Sequence, residues 1–126
     1  MIRETPCSRD ADREAFSRFF LAVDLCRHRQ HIKLLRLPEC VAGCEACIAA
    51  GTPWRNLRIC LECGHVGCGD TSAGQHAMAH AAATGHPIAR SLEPDEEWSW
   101  CYIDRVGMLT PEVLGLTRVP PPPLGP

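Results

Sequence analysis

Aromatic residues are scarce in this chain: three Phe, three Trp and one Tyr among 126 residues. So few rings cannot build a large packed interior, and a small domain short of core needs covalent or metal staples. Long apolar runs are missing too. No stretch approaches the ~20 residues of a membrane span, so no membrane partner is expected. Residues 1–25 carry charges throughout and no apolar segment of the kind a secretory leader requires. That reads as a cytoplasmic protein in a reducing compartment. Charge of one sign is not in excess either, the formal net charge being -2. Nucleic-acid affinity rests mostly on phosphate neutralisation, so no nucleic-acid partner is expected.

What the chain has in abundance is nine Cys and six His. A disulfide scaffold uses Cys in even number and has no need of His. Here the count is odd and the His lie among the Cys. In a reducing compartment such clusters read as metal or redox chemistry.

Residues 1–9 are polar. Residues 10–25 read as one amphipathic helix, with Phe16, Phe19, Phe20 and Val23 at i, i+3, i+4, i+7 and Asp10 as N-cap. Short Gly- and Cys-punctuated turns follow over 26–69. They contain a candidate strand at 56–61, where Leu57, Ile59 and Leu61 alternate with Arg58 and Cys60. A second helix is expected over 72–84. Ser72 and Gln75 carry a capping-box spacing, Gly85 suits the left-handed C-terminal position, and Pro87 stops the helix. Residues 88–92 and 98–103 read as strands, the second placing Trp98, Trp100 and Tyr102 on one face. From Val119 to Pro126 the chain is proline-rich and reads as an extended tail.

The chemistry concentrates in one stretch: Cys44-x2-Cys47, Cys60-x2-Cys63, Cys68, His76, His80 and His86. A C-x2-C pair turns tightly enough to put both sulfurs on one ion, and structural zinc takes four Cys or His ligands at tetrahedral corners. The eight candidates make two complete sites. His76 and His80, at i and i+4, share one helix face. That spacing serves a single zinc or two zincs flanking the helix, and spacing alone does not choose. His65 shares a tight turn with Cys63, and both sites close without it.

These motifs, taken in order with Cys63-Gly-His-Val-Gly-Cys68-Gly, Thr-Gly-His86-Pro and Trp-x-Trp-Cys101-Tyr, resemble the UBP-type zinc finger. This is the ubiquitin-binding finger of deubiquitinating enzymes, and the closest likeness is to its small stand-alone bacterial members. The resemblance covers residues 26–105. It implies an α+β fold, a short antiparallel sheet packed on a helix and stabilised by zinc. Here that fold would carry an extra N-terminal helix in 1–25 and a proline-rich tail in 106–126. By position it implies that Cys44, Cys47, Cys68 and His76 hold one zinc, and that Cys60, Cys63, His80 and His86 hold a second. The two helix histidines then go to different ions. Members with three zincs add a site from an early Cys-x-His and a late Cys-x2-Cys. Cys26 and His28 match the first half. The late half reads Cys101-Tyr-Ile-Asp104, with a carboxylate where the pattern has sulfur, and Asp is a permitted zinc ligand. Cys7 and Cys40 have no place in the pattern and read as free thiols.

Ubiquitin-binding members hold the free Gly-Gly carboxylate of ubiquitin in a pocket with an Arg after the Cys-Gly step and aromatic walls. In this chain Asp70 stands where that Arg would be, and Arg58 replaces an aromatic. Trp100 and Tyr102 match ring positions. The resemblance therefore points to Arg58, Asp70, Trp100 and Tyr102 as partner-binding residues, and the expected ligand is a protein or peptide C-terminal tail other than ubiquitin. The acidic run Glu93, Asp95, Glu96 and Glu97 reads as a solvated face or as a rim for a basic tail. No catalytic residues are expected, since sites with four protein ligands leave no open position on the metal. A thiol-based redox or zinc-responsive regulator is the alternative.

Overall fold

The computed structural model describes residues 26–121. The helix expected over 10–25 lies outside them. Five strands form one antiparallel sheet: β1 (Leu57–Cys60), β2 (Val66–Cys68), β3 (Ile88–Ser91), β4 (Trp98–Cys101) and β5 (Val106–Leu109), in the order β2-β1-β3-β4-β5. Among the described residues two helices accompany it, α1 (Glu45–Ala50) and α2 (His76–Thr84), with a 3-10 turn at Arg29–His31.

Alternation on β1 divides the sheet into two faces. Leu57, Ile59 and Leu61 point into the main core, where they join Val66, Ile88, Leu92 and Cys101. Leu37 and Val113 close that core from two flanking segments. These segments run side by side through isolated parallel bridges, Arg36 with Leu114 and Cys40 with Arg118. Backbone bonds knit them in, Lys33 and Leu34 N–H both donating to the Leu61 carbonyl at 2.8 Å.

The opposite face carries Arg58, which pairs in register with Gly67 on β2 and Ser91 on β3. Here α2 packs on β1 and β2. Gly67 permits it: a Cβ there would stand 2.7 Å from the Ala77 nitrogen and 2.9 Å from its Cα.

Two hairpins share one construction. In the β1–β2 turn the Gly64 N–H donates to the Cys60 carbonyl at 2.9 Å. In the β4–β5 turn the Arg105 N–H donates to the Cys101 carbonyl at 2.7 Å. Gly64 and Arg105 both have positive φ, 86° and 59°. Cys101-x2-Asp104 is thus the same turn as Cys60-x2-Cys63, with a non-glycine residue held in the left-handed region at some strain.

The strands at 57–60, 88–91 and 98–101 fall within the stretches expected at 56–61, 88–92 and 98–103. The helix start differs from expectation. Ser72 does not cap; its buried hydroxyl accepts from the Arg55 N–H and donates to the Arg55 carbonyl at 2.7 Å. Gln75 sits at φ 47° and α2 begins at His76. At the other end Gly85 takes the left-handed position, φ 81°, and its N–H reaches the Ala81 carbonyl. The sheet also runs on past residue 105, since β5 lies in the stretch that the sequence assigns to the tail.

Candidate metal centres and tail-binding face

Among the described residues, three groups of Cys, His and Asp bring four donor atoms each within 4.8 Å of one another. They are Cys44, Cys47, Cys68 and His76; Cys60, Cys63, His80 and His86; and Cys26, His28, Cys101 and Asp104. Every residue named from the sequence as a metal ligand falls into one of them. His76 and His80, one turn apart on α2, belong to different groups.

The first group is built by α1, β2 and the start of α2. Cys44 is the N-cap of α1, and its sulfur accepts the Cys47 N–H at 3.3 Å. The His76 Nδ1 stands 3.4, 3.3 and 3.5 Å from the sulfurs of Cys44, Cys47 and Cys68, and two of those sulfurs are 3.9 Å apart. Ordinary zinc–sulfur and zinc–nitrogen bonds at a tetrahedral angle put sulfur and nitrogen about 3.6 Å apart and two sulfurs about 3.8 Å apart. The donor set therefore has the size and chemistry of a zinc cage.

The second group uses the β1–β2 turn, the second turn of α2 and the loop after it. Cys63 Sγ lies 3.3 Å from His80 Nε2, and Cys60 Sγ lies 3.5 Å from His86 Nδ1. The Glu62 N–H points at the Cys60 sulfur, 3.4 Å away. His65 stays out of the group. Its ring stacks flat on His80 at 4.2 Å, and its Nε2 is 3.8 Å from Glu45. Burial, then the neighbouring His65 and His86, hold His80 below the usual imidazole value. The shift favours the neutral imidazole that a metal ligand must be.

The third group ties the start of the described chain to the β4–β5 turn. His28 Nδ1 is 3.9 Å from Cys26 Sγ, 3.5 Å from Cys101 Sγ and 2.9 Å from Asp104 Oδ2. This spread is wider than in the first group, and the shortest edge is a hydrogen-bond length. The Arg27 N–H, also 2.9 Å from Oδ2, is the main reason that the Asp104 carboxyl lies below its ordinary value.

Burial pushes the Cys26 and Cys44 thiols up to about 12, and raises Cys60 as well. Burial also opposes ionisation of Cys68, but hydrogen bonds led by that of the His76 N–H outweigh it together and lower that thiol. Crowded buried thiols cannot all ionise without a cation among them, and zinc supplies that charge. Cys40 is disulfide-bonded. This corrects the expectation of a free thiol there, which rested only on its having no place in the metal pattern. Cys7 lies outside the described residues.

On the α2 side of the sheet the structure brings Arg58, Asp70 and Tyr102 together. Arg58 Nη1 donates to the Tyr102 hydroxyl at 2.6 Å and stands 3.4 Å from Asp70 Oδ2. The Tyr102 hydroxyl faces Asp70 Oδ1, also at 3.4 Å. Trp98 underlies the Arg58 guanidinium at 4.9 Å, a cation–π contact that the sequence did not reveal because it needs the strand register. Trp100 lies on the same face, opposite Ala89 and Gly107. Between α2 and β3 a small pocket of about 10 Å³ is lined by Arg58, Tyr102, Ala77, Ala81 and Ala89, together with Cys60, His80 and His86 of the second group. Of the acidic run, Glu93 accepts the Leu57 N–H at 2.7 Å and Glu96 accepts the Ser91 hydroxyl at 2.6 Å. Only Asp95 and Glu97 stand exposed.

With this geometry in hand, the chain can be set beside known proteins. A family model described as "Zn-finger in ubiquitin-hydrolases and other protein" matches residues 44–112. The human BRCA1-associated protein is 31% identical over 102 residues, 68% of this chain and 17% of that protein. Ubiquitin carboxyl-terminal hydrolase 14 of Saccharomyces cerevisiae is 30% identical over 77 residues, 57% of this chain and 10% of that protein. The chain thus spans only a small part of either relative. The solution NMR structure of protein RPA1320 from Rhodopseudomonas palustris is 43% identical, with a TM-score of 0.63 over 74% of this chain and 89% of that one. The family match leaves Cys26 and His28, half of the third group, outside its range. It takes in the first two groups entire, and the chain belongs to the UBP-type zinc-finger family, whose members are zinc-binding protein-interaction modules.

Proposed function

We propose that this chain is a non-catalytic module that reads the C-terminal tail of a protein other than ubiquitin, with one zinc ion in each of its three donor groups. The observation that carries the reading is the Arg58–Tyr102–Asp70 cluster on the α2 side of the sheet. A tail carboxylate needs a fixed positive partner, and Arg58 meets that need from β1. Trp98 beneath it, with Trp100 on the same face, supplies apolar walls. Asp70 adds a negative charge at the same spot, which disfavours a bare Gly-Gly carboxylate and favours a tail with a basic residue near its end.

Four protein donors per group leave no open position on the metal, which supports a structural rather than a hydrolytic role. One feature favours a second reading, a zinc-responsive regulator. The third group has the most uneven donor distances, 2.9 to 3.9 Å, and an oxygen ligand, so it would release its ion first.

The test is calorimetric titration with ubiquitin, with ubiquitin lacking its last two glycines, and of an Asp70→Arg variant. A charge-assisted hydrogen bond contributes about 1.5–3 kcal/mol, so reversing the charge at 70 should turn weak binding into measurable, Gly-Gly-dependent binding. Tight Gly-Gly-dependent binding by the unaltered chain would overturn the proposal.

A further inference from the structure

We propose that Asp70 is a tethered competitor, its carboxylate occupying the Arg58 and Tyr102 donors so that an incoming tail must displace it. This rests on the tail-reading site proposed above and adds its regulation.

The geometry argues first from the donors. Arg58 Nη1 and the Tyr102 hydroxyl each face a different oxygen of Asp70, both at 3.4 Å. A guanidinium N–H and a neighbouring hydroxyl are the pair of donors that a free main-chain carboxylate would take up. Asp70 therefore presents the ligand's own chemical group to the ligand's own partners.

Its reach is built into the backbone. A Cβ on Gly69 would stand 3.1 Å from Asn56 Cβ and 3.4 Å from Arg58 Nε. Without one, the chain passes close beside the guanidinium. The turn is then pinned on both sides. Gly69 N–H donates to the Asn56 carbonyl at 3.0 Å, the Thr71 hydroxyl to Asn56 Oδ1 at 2.6 Å, and Gln75 Nε2 to the Asp70 carbonyl at 2.9 Å. Only the short side chain of Asp70 keeps its freedom. A carboxylate so tethered has a high effective concentration at the donors.

The grip is nevertheless loose. Contacts of 3.4 Å are long beside the ~2.7–2.9 Å of strong charge-assisted bonds. The Asp70 side chain is 41% exposed, whereas that of Arg58 is 12% exposed. Arg58 is also held independently, by its 2.6 Å bond to Tyr102 and by the Trp98 ring. The donors stay in place when the competitor leaves. Once displaced, the Asp70 carboxylate lies beside the bound tail end, where a basic side chain of the tail can neutralise it. Self-occupation and selection for a basic tail are then two consequences of one residue.

The experiment titrates the unaltered chain and Asp70→Asn with N-acetyl-triglycine and with its C-terminal amide, following the Trp indole N–H signals by NMR. Asp70→Asn should bind the free acid about fivefold more tightly or better, the scale of one exposed ion pair. It should show no gain for the amide, and Arg58→Gln added to it should abolish the gain. Asp70→Ser, checked like Asp70→Asn for an unchanged melt, should reproduce the effect. Equal affinity of the unaltered chain and Asp70→Asn for the free acid would overturn the tether and leave the tail site standing. An equal gain for the amide would overturn the tether too. Failure of every form to distinguish acid from amide would overturn the tail site and the tether with it.

Discussion

Gly67→Ala should disable both of the first two metal groups at once, although residue 67 is not a ligand. The added methyl would meet Ala77 N at 2.7 Å, Ala77 Cα at 2.9 Å and the His76 carbonyl carbon at 2.9 Å. All three are backbone atoms of the first turn of α2, so no rotamer relieves the overlap. Carbon contacts are comfortable at about 3.5–4.0 Å, and α2 would have to retreat by roughly 1 Å. His76 and His80 ride on that helix, with donor separations of 3.3–3.5 Å to the sulfurs they face. Metal–ligand distances tolerate only about 0.2 Å. Overpacking alone costs about 1–3 kcal/mol, and lost metal adds to it. At ~4–8 °C per kcal/mol for a domain of this size, the melting temperature should fall by about 10 °C or more, with zinc content falling in the same protein. Gly107→Ala is the control. Its Cβ would find nothing closer than the Ser99 carbonyl oxygen at 3.7 Å, and its melt and zinc content should match those of the unaltered chain. A Gly67→Ala protein with full zinc that melts alongside Gly107→Ala would refute the reasoning.

Asp104→Ala should lose about one equivalent of zinc while the rest stays folded, and Asp104→Cys should bind that ion more tightly because thiolate is the softer ligand; unchanged metal content in Asp104→Ala would show that its carboxylate is not a ligand. Cys60→Ser should cost soluble yield and metal, whereas His65→Ala, which removes a ring stacked on His80 but no donor, should keep its zinc; equal loss in both would count against the grouping. Ultraviolet titration of the single tyrosine should place Tyr102 at about 12 rather than 10, burial being the main cause. Because the folded chain keeps this proton longer than the unfolded one, stability should decline as pH rises between those two values; an inflection near 10 would contradict the burial.

The candidate metal ligands stood out because zinc accepts few residue types, and short turns bring them together at recognisable spacings. Asp104 was legible only through the family resemblance, which has a second sulfur at that place; Cys101-x2-Asp104 folds into the same hairpin turn as Cys60-x2-Cys63. Other features lay beyond local pattern. The six-residue α1 has no apolar stripe, its start being set by the Cys44 sulfur. Strand β2 is three residues long with a glycine at its centre. Strand β5 leads into a Pro-rich stretch that masked it. Ser72 had the spacing of a cap, but Arg55, distant in sequence, claimed its hydroxyl. The sign of Asp70 was readable. Its partnership with Arg58 was not, because that depends on β1 and β2 pairing in one register.

The order of ligands along the chain has a consequence for how this domain can be divided. With one ion per group, the first ion closes a loop from residue 44 to 76 and the second a loop from 60 to 86. Each loop contains part of the other's ligand set, and α2 is common to both. A cut between 60 and 76, where the two loops overlap, divides both ligand sets at once. Half-domains should not complement each other as separately folded pieces, and the inner loops should be poor places to insert a foreign segment. The two ions should load and leave as a pair, while the third, joined through residues 26–28 and 101–104, comes and goes by itself.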